Sequence, residues 1–177
     1  MTPIHVLLAA LSATAVAFVA GWARLVRSTR TDPSTHATPA GQAGNPQIGF
    51  WKMNMEKSKF STGTGFKSAT SRIEAIDGGV KHTVDSVYID GTSRQYSYAT
   101  RYDGKDMPVT GNSPYGDTTA ITHVDANTTR TVYKNKGQVT VIQMSVVSAD
   151  RKTRTVTTKG TNPAGQSVDN LSVYDRQ

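Results

Sequence analysis

From Ile48 onward the chain is interrupted about every 10 to 14 residues by a turn-forming group, and this spacing constrains the fold more than any other feature. The groups are Asp77-Gly78-Gly79, Asp90-Gly91, Asp103-Gly104, Gly116-Asp117, Ala126-Asn127, Lys136-Gly137, Asp150-Arg151 and Pro163-Ala164-Gly165. Asp-Gly and related pairs supply the positive φ that tight hairpins need. The intervening stretches are rich in Thr, Val, Tyr and Ser, which suit strands, and none has the 3.6-residue period of an amphipathic helix. The spacing therefore predicts an all-β domain over residues 48–177, a single antiparallel up-and-down β-barrel of about nine or ten strands.

Alternation within the strands indicates what fills such a barrel. In the run 80–88, Val80, His82, Val84, Ser86 and Tyr88 share one face, and Lys81, Thr83, Asp85 and Val87 share the other. Tyr96, Tyr98 and Tyr102 fall together in the next strand. Faces this mixed do not suit the dry aliphatic core of a tight sandwich; a barrel enclosing a partly polar cavity, or a very Thr-rich surface, produces the same pattern. Tyr88, Tyr96, Tyr98 and Tyr102 are the candidate lining residues for a small apolar or amphipathic ligand.

The first 47 residues have another character. Residues 1–23 contain no Lys, Arg, Asp or Glu. An apolar run of about 20 residues at roughly 1.5 Å rise matches the hydrocarbon core of a bilayer. Residues 1–27 are read as a hydrophobic signal or anchor helix. The Ser/Thr/Pro/Ala/Gly-rich segment 28–47, with Pro33, Pro39 and Pro46, reads as a disordered linker because it has too few large apolar groups to offset its ordering entropy. Together they place the protein in the cell envelope, exported or held by one N-terminal transmembrane helix. The alternative is a cytoplasm-facing anchor, since Arg24, Arg27 and Arg30 follow the apolar run.

The domain opens on Gly49-Phe50-Trp51-Lys52-Met53-Asn54, continues through Lys57-Ser58-Lys59-Phe60, and later carries Tyr102-Asp103-Gly104-Lys105-Asp106-Met107-Pro108-Val109-Thr110-Gly111. Across residues 48–177 these strings are similar to a set of uncharacterised exported bacterial proteins that look like relatives of the lipocalin and fatty-acid-binding-protein group. The resemblance implies a lipocalin-like barrel around one cavity, with Gly49 and Trp51 as structural residues of the barrel floor. It also implies an Arg or Lys from the last strands against the Trp; Arg154 and Arg176 are both candidates.

Several chemistries find no support. With no cysteine, disulfides, thiolate catalysis, Cys-ligated metals and a lipidated N-terminal Cys are excluded. His82 and His123 lack metal-ligand spacing and are expected to be isolated strand histidines. Gly-x-Ser-x-Gly, glycine-rich phosphate loops and zinc-protease motifs are absent, and Asp85, Asp117 and Asp125 form no recognisable acid–base pair. Neither an enzyme nor a cofactor site is expected.

Charge supplies a second lead. Residues 48–125 are balanced at nine basic and nine acidic, whereas residues 126–160 carry Arg130, Lys134, Lys136, Arg151, Lys152, Arg154 and Lys159 against Asp150 alone. On neighbouring strands these cations are expected to gather on one rim, where they would contact an anionic membrane surface or a partner protein. Aromatic and basic residues do not interleave as a nucleic-acid platform would require.

Overall fold

The computed structural model describes residues 44–177, and the expectations for the anchor helix and for most of the linker lie outside them. No helix among the described residues is long and apolar enough to cross a membrane. Eleven strands follow in chain order: β1 (Gly49–Lys59), β2 (Phe66–Ile76), β3 (Gly79–Tyr88), β4 (Ser93–Thr100), β5 (Met107–Pro108), β6 (Thr110–Gly111), β7 (Thr118–His123), β8 (Thr128–Asn135), β9 (Gln138–Val147), β10 (Thr153–Thr161) and β11 (Ser167–Arg176). They form one antiparallel sheet in the order β5-β7-β8-β9-β10-β11-β1-β2-β3-β4-β6, a nearly closed barrel.

The first and last long strands are neighbours, with Trp51 opposite Arg176 and Met53 opposite Tyr174. The seam lies instead between β4 and β7. One short segment spans it: Met107–Pro108 pair with β7, and Thr110–Gly111 pair with β4. The Val109 amide also donates to Asp117 O (2.8 Å), and the Asn112 amide donates to Gln95 O (2.8 Å). This strap accounts for a strand count above the expected nine or ten. Two-residue strands are too short to show alternation, and Pro108 has no N–H to give a ladder.

Apart from Gly79, which opens β3 and pairs with Ile76, the residues of the predicted turn groups lie outside the regular ladders. Lys136 and Gly137 make the two-residue loop between β8 and β9 with φ of 52° and 81°, the pair of left-handed residues a type I′ turn demands. The β1–β2 connection, Phe60–Gly65, is one further turn that the sequence reading did not single out.

Alternation sends Val80, His82, Val84 and Ser86 of β3 inward, together with Tyr96, Tyr98 and Thr100 of β4. Two apolar clusters fill the interior. One gathers Trp51, Met53, Phe66, Ala69, Ile73, Val80, Val147, Val156 and Tyr174. The other gathers Val84, Tyr96, Tyr98, Tyr115, Ile121, Tyr133, Val141 and Val168.

Candidate functional site: the barrel interior and its mouth

At the floor, Trp51 is fully buried and donates its indole N–H to Gln47 O (2.9 Å). Arg176 lies with its guanidinium carbon 4.1 Å from the Trp51 ring centroid, so of the two candidate partners it is Arg176 that covers the indole. Its Nη1 and Nη2 donate to Ile48 O and Pro46 O (both 2.7 Å), and its Nε to Arg151 O (2.6 Å). The floor therefore begins before Ile48. Gln47, only 2% exposed, donates from Nε2 to Asn127 O (2.9 Å), and its Oε1 accepts from Ser145 Oγ (3.1 Å).

Arg154 is inside the barrel, 5% exposed. Its Nε donates to Ser145 Oγ on β9 (2.9 Å), and its Nη1 reaches past β11 and β1 to Ser71 Oγ on β2 (2.7 Å). Ser71 Oγ lies 2.6 Å from His82 Nε2, and His82 Nδ1 is hydrogen-bonded to the Tyr98 hydroxyl. Because Ser71 accepts from Arg154, its own proton is free for His82 Nε2, which assigns the Nδ1–H tautomer and makes Tyr98 the acceptor. Burial first, and the Arg154 charge second, hold the His82 pKa well below its usual value, so the ring is neutral at neutral pH.

The distance between Ser71 and His82 would suit a nucleophile and its base, but the surroundings do not suit a substrate. The cavity beside them, which Arg154 also lines, is only about 20 Å³. A second interior cavity, of about 30 Å³, lies under Tyr88, Tyr96 and Tyr115. Spaces of this size hold water molecules and not an organic ligand, for which pockets run about 300–1,000 Å³. The interior is thus polar, as alternation implies, but filled by its own side chains.

More room exists at the open end opposite Trp51. A cleft of about 260 Å³ lies among Thr64 of the β1–β2 connection, Tyr88, Asp90 and Arg94 of the β3–β4 hairpin, Pro114 and Tyr115 before β7, and the β10–β11 turn. The Arg94 guanidinium sits 4.9 Å over the Tyr88 ring, and its buried Nε has no hydrogen-bond partner among the described residues. Burial pushes the Tyr88 hydroxyl up to about 12, against the opposing pull of Arg94. Tyr88, Pro114 and Tyr115 also line the 30 Å³ cavity beneath, so they separate cleft from interior. A larger trough of about 410 Å³ runs over the outer face of β2, β3 and β4 along Ser68, Thr70, Asp85, Val87 and Gln95. That trough owes its volume to short side chains and opens broadly to solvent, so the three-sided mouth is the better enclosure.

The four candidate lining tyrosines do not converge on one space. Tyr98 and Tyr102 border the 20 Å³ cavity, and Tyr88 and Tyr96 border the 30 Å³ one. Tyr102 is near the floor, accepting from Asn45 Nδ2 (3.2 Å), with its ring centroid 4.1 Å from that of His123 and the two rings tilted by 34°. No group of three His, Asp or Glu suited to a metal occurs among the described residues.

The basic residues do not form a single rim. The β8–β9 turn with Lys136 and the β9–β10 turn with Arg151 and Lys152 are at opposite ends of the barrel, because an up-and-down meander alternates its turns between ends. Lys134 pairs with Asp106 (2.7 Å) and Lys159 with Asp169 (2.7 Å), Arg130 is exposed on β8, and Arg154 is inside. The inward face of β10 explains the last: Arg154, Val156 and Thr158 alternate with half-exposed threonines. Arg94 was missed because one Arg beside a hairpin carries no pattern. No family model matches the chain, and no curated protein matches it.

Proposed function

We propose that the domain is a non-enzymatic binding module of the cell envelope that takes a small amphipathic ligand at the mouth of the barrel. The observation that carries this reading is the cleft of about 260 Å³ lined by Arg94, whose guanidinium forms no ion pair with a carboxylate among the described residues. A guanidinium in the wall of such a cleft presents charge-assisted donors to an oxygen-bearing ligand head. Tyr88, Tyr115, Pro114 and Val168 supply the apolar walls for the remainder of the ligand. The volume favours a ligand smaller than a drug-sized molecule. The apolar segment 1–27 and the linker after it support tethering at a membrane, and the similarity to exported barrel proteins supports the envelope location.

Binding of an anionic lipophilic dye to the full-length chain, displacement by short-chain carboxylates, and native mass spectrometry of the purified protein test the reading. Saturable displacement is expected, weakened at least tenfold by Arg94→Gln with the unfolding midpoint unchanged. A protein that binds no dye and purifies without a guest, or an Arg94→Gln variant equal to wild type, would remove it.

A further inference from the structure

We propose that the barrel interior holds one halide ion against Arg154. Arg154 is 5% exposed and is paired with no carboxylate among the described residues; its two hydrogen bonds go to the neutral hydroxyls of Ser145 and Ser71, and the Tyr174 ring, 5.5 Å from its guanidinium carbon, adds a cation–π contact but no counter-charge. A buried cation that keeps neutral partners only is unfavourable, because hydroxyl dipoles replace water incompletely and leave the charge uncompensated. Its Nη2 makes no hydrogen bond to a described residue, and Arg154 is one of the residues that line the cavity of about 20 Å³.

The same cavity is lined by Thr129 and Thr131, each 5% exposed, whose hydroxyls make no hydrogen bond to another described residue. Guanidinium N–H groups and two hydroxyls around one small space form a donor set with no carboxylate among its lining residues, which is the chemistry of an anion site and not of a cation site. The volume selects within that class. The space is on the scale of a single water molecule, and a monatomic anion, only slightly larger in radius, is the one member of that class that approaches it, while carboxylate, phosphate and sulfate do not. Water in the same place would satisfy the donors but leave the charge of Arg154 uncompensated. A halide does both.

A ligand that binds only the folded state raises stability with the logarithm of its concentration. The full-length protein is therefore unfolded thermally in sodium chloride, sodium bromide and sodium gluconate at matched ionic strength. The expected result is a midpoint that climbs with chloride or bromide and stays flat in gluconate, a dependence that Arg154→Met abolishes. Should Arg154→Met fail to fold, the wild-type protein crystallised in bromide decides the matter, with an anomalous peak expected beside Arg154. Equal midpoints in bromide and gluconate, or density in the cavity unchanged by bromide and therefore water, would overturn the proposal.

Discussion

The guanidinium carbon of Arg176 sits 4.1 Å from the ring centroid of Trp51 while its nitrogens donate to the carbonyls of Pro46, Ile48 and Arg151. One side chain from the last strand thereby fixes the first strand, the approach to it and the β9–β10 turn. The neighbouring backbone is shaped to let it through. Gly49 has φ of 149°, and a Cβ there would meet Arg176 Nη1 at 2.3 Å. The Gly-x-Trp pair is thus a single device: glycine leaves the space that the cation occupies above the tryptophan.

Replacing Arg176 by Met keeps much of the contact with the ring but leaves three carbonyls without their donor. Arg176 is partly solvated, so water recovers some of that loss, and about 2 kcal/mol of destabilisation is expected. Arg176→Lys should recover only part, since an ammonium cannot spread over the ring and span three carbonyls in one plane. Urea unfolding of the three proteins measures both, and a Lys variant as stable as wild type would refute the planar-clamp account.

How much of this was legible in the sequence follows from the range of each signal. Turn groups act over two or three residues, so Asp77-Gly78, Asp90-Gly91 and Lys136-Gly137 declared the hairpins directly, and period-two alternation placed His82 and Tyr98 on inward faces. Arg154 was open to the same reasoning, since it alternates in phase with Val156, but its charge drew it into the presumed basic rim. The pairing of Arg176 with Trp51 and the role of Gln47 depend on residues about 80 to 130 positions apart, and the seam is hidden because its strap strands are two residues long. Alternation marks a face without identifying what lies across the barrel. The filled interior was equally hidden, because polar inward residues suit both a wet cavity and a hydrogen-bonded chain such as Arg154–Ser71–His82–Tyr98.

Mild acid should destabilise the fold through His82. Its folded pKa is depressed below the unfolded value near 6.5, so below that pH the unfolded chain takes up a proton that the folded one refuses. The stabilisation is fully present above about pH 6.5 and is lost as pH falls toward the folded pKa, with a slope approaching about 1.4 kcal/mol per pH unit. The depressed carboxyls of Asp90, Asp125 and Asp150, held chiefly by hydrogen bonds from Thr92, Asn127 and Ser148 respectively, add their acid sensitivity only at lower pH, through the carboxylate range. Unfolding free energies at pH 7.5, 6.5 and 5.5 for wild type and His82→Gln separate the contributions. A wild-type slope that survives the substitution would exclude His82 as its source.

At the alkaline end the tyrosines act together. All seven have their hydroxyls pushed above the usual value with burial as the largest cause, Tyr88 and Tyr98 to about 12. An unfolded chain releases these protons near pH 10 while the folded one retains them, so this part of the stability is complete below about pH 10 and falls as pH rises beyond it. Phenolate absorbance should therefore stay near zero through pH 10 and then rise in one step that coincides with loss of strand circular dichroism. Gradual ionisation starting near pH 10 in the folded protein would show that the tyrosines are more accessible than their packing implies.

The barrel's continuity across β4 and β7 rests on the strap, and Gly111 is where the strap is most tightly constrained. Its φ is 93°, and a Cβ at this position would meet Gln95 O at 2.4 Å and Tyr96 Cα at 3.1 Å, both backbone atoms that cannot swing aside. Gly111→Ala must therefore push β6 away from β4, breaking its pairing with Tyr96 and Ser97 and the bond from the Asn112 amide to Gln95 O. Positive φ at a non-glycine residue costs about 1–3 kcal/mol, and the clash adds to it. The damage should stay local, because β1–β4 and β7–β11 keep their own ladders. Hydrogen exchange of the Asn112 amide is expected to accelerate by at least tenfold in Gly111→Ala, while the Val156 and Thr158 amides on β10, remote from the seam, keep the protection that global stability sets. Equal acceleration at both places would mean that the strap is inseparable from the cooperative core, and unchanged exchange at Asn112 would mean that it does not close the seam.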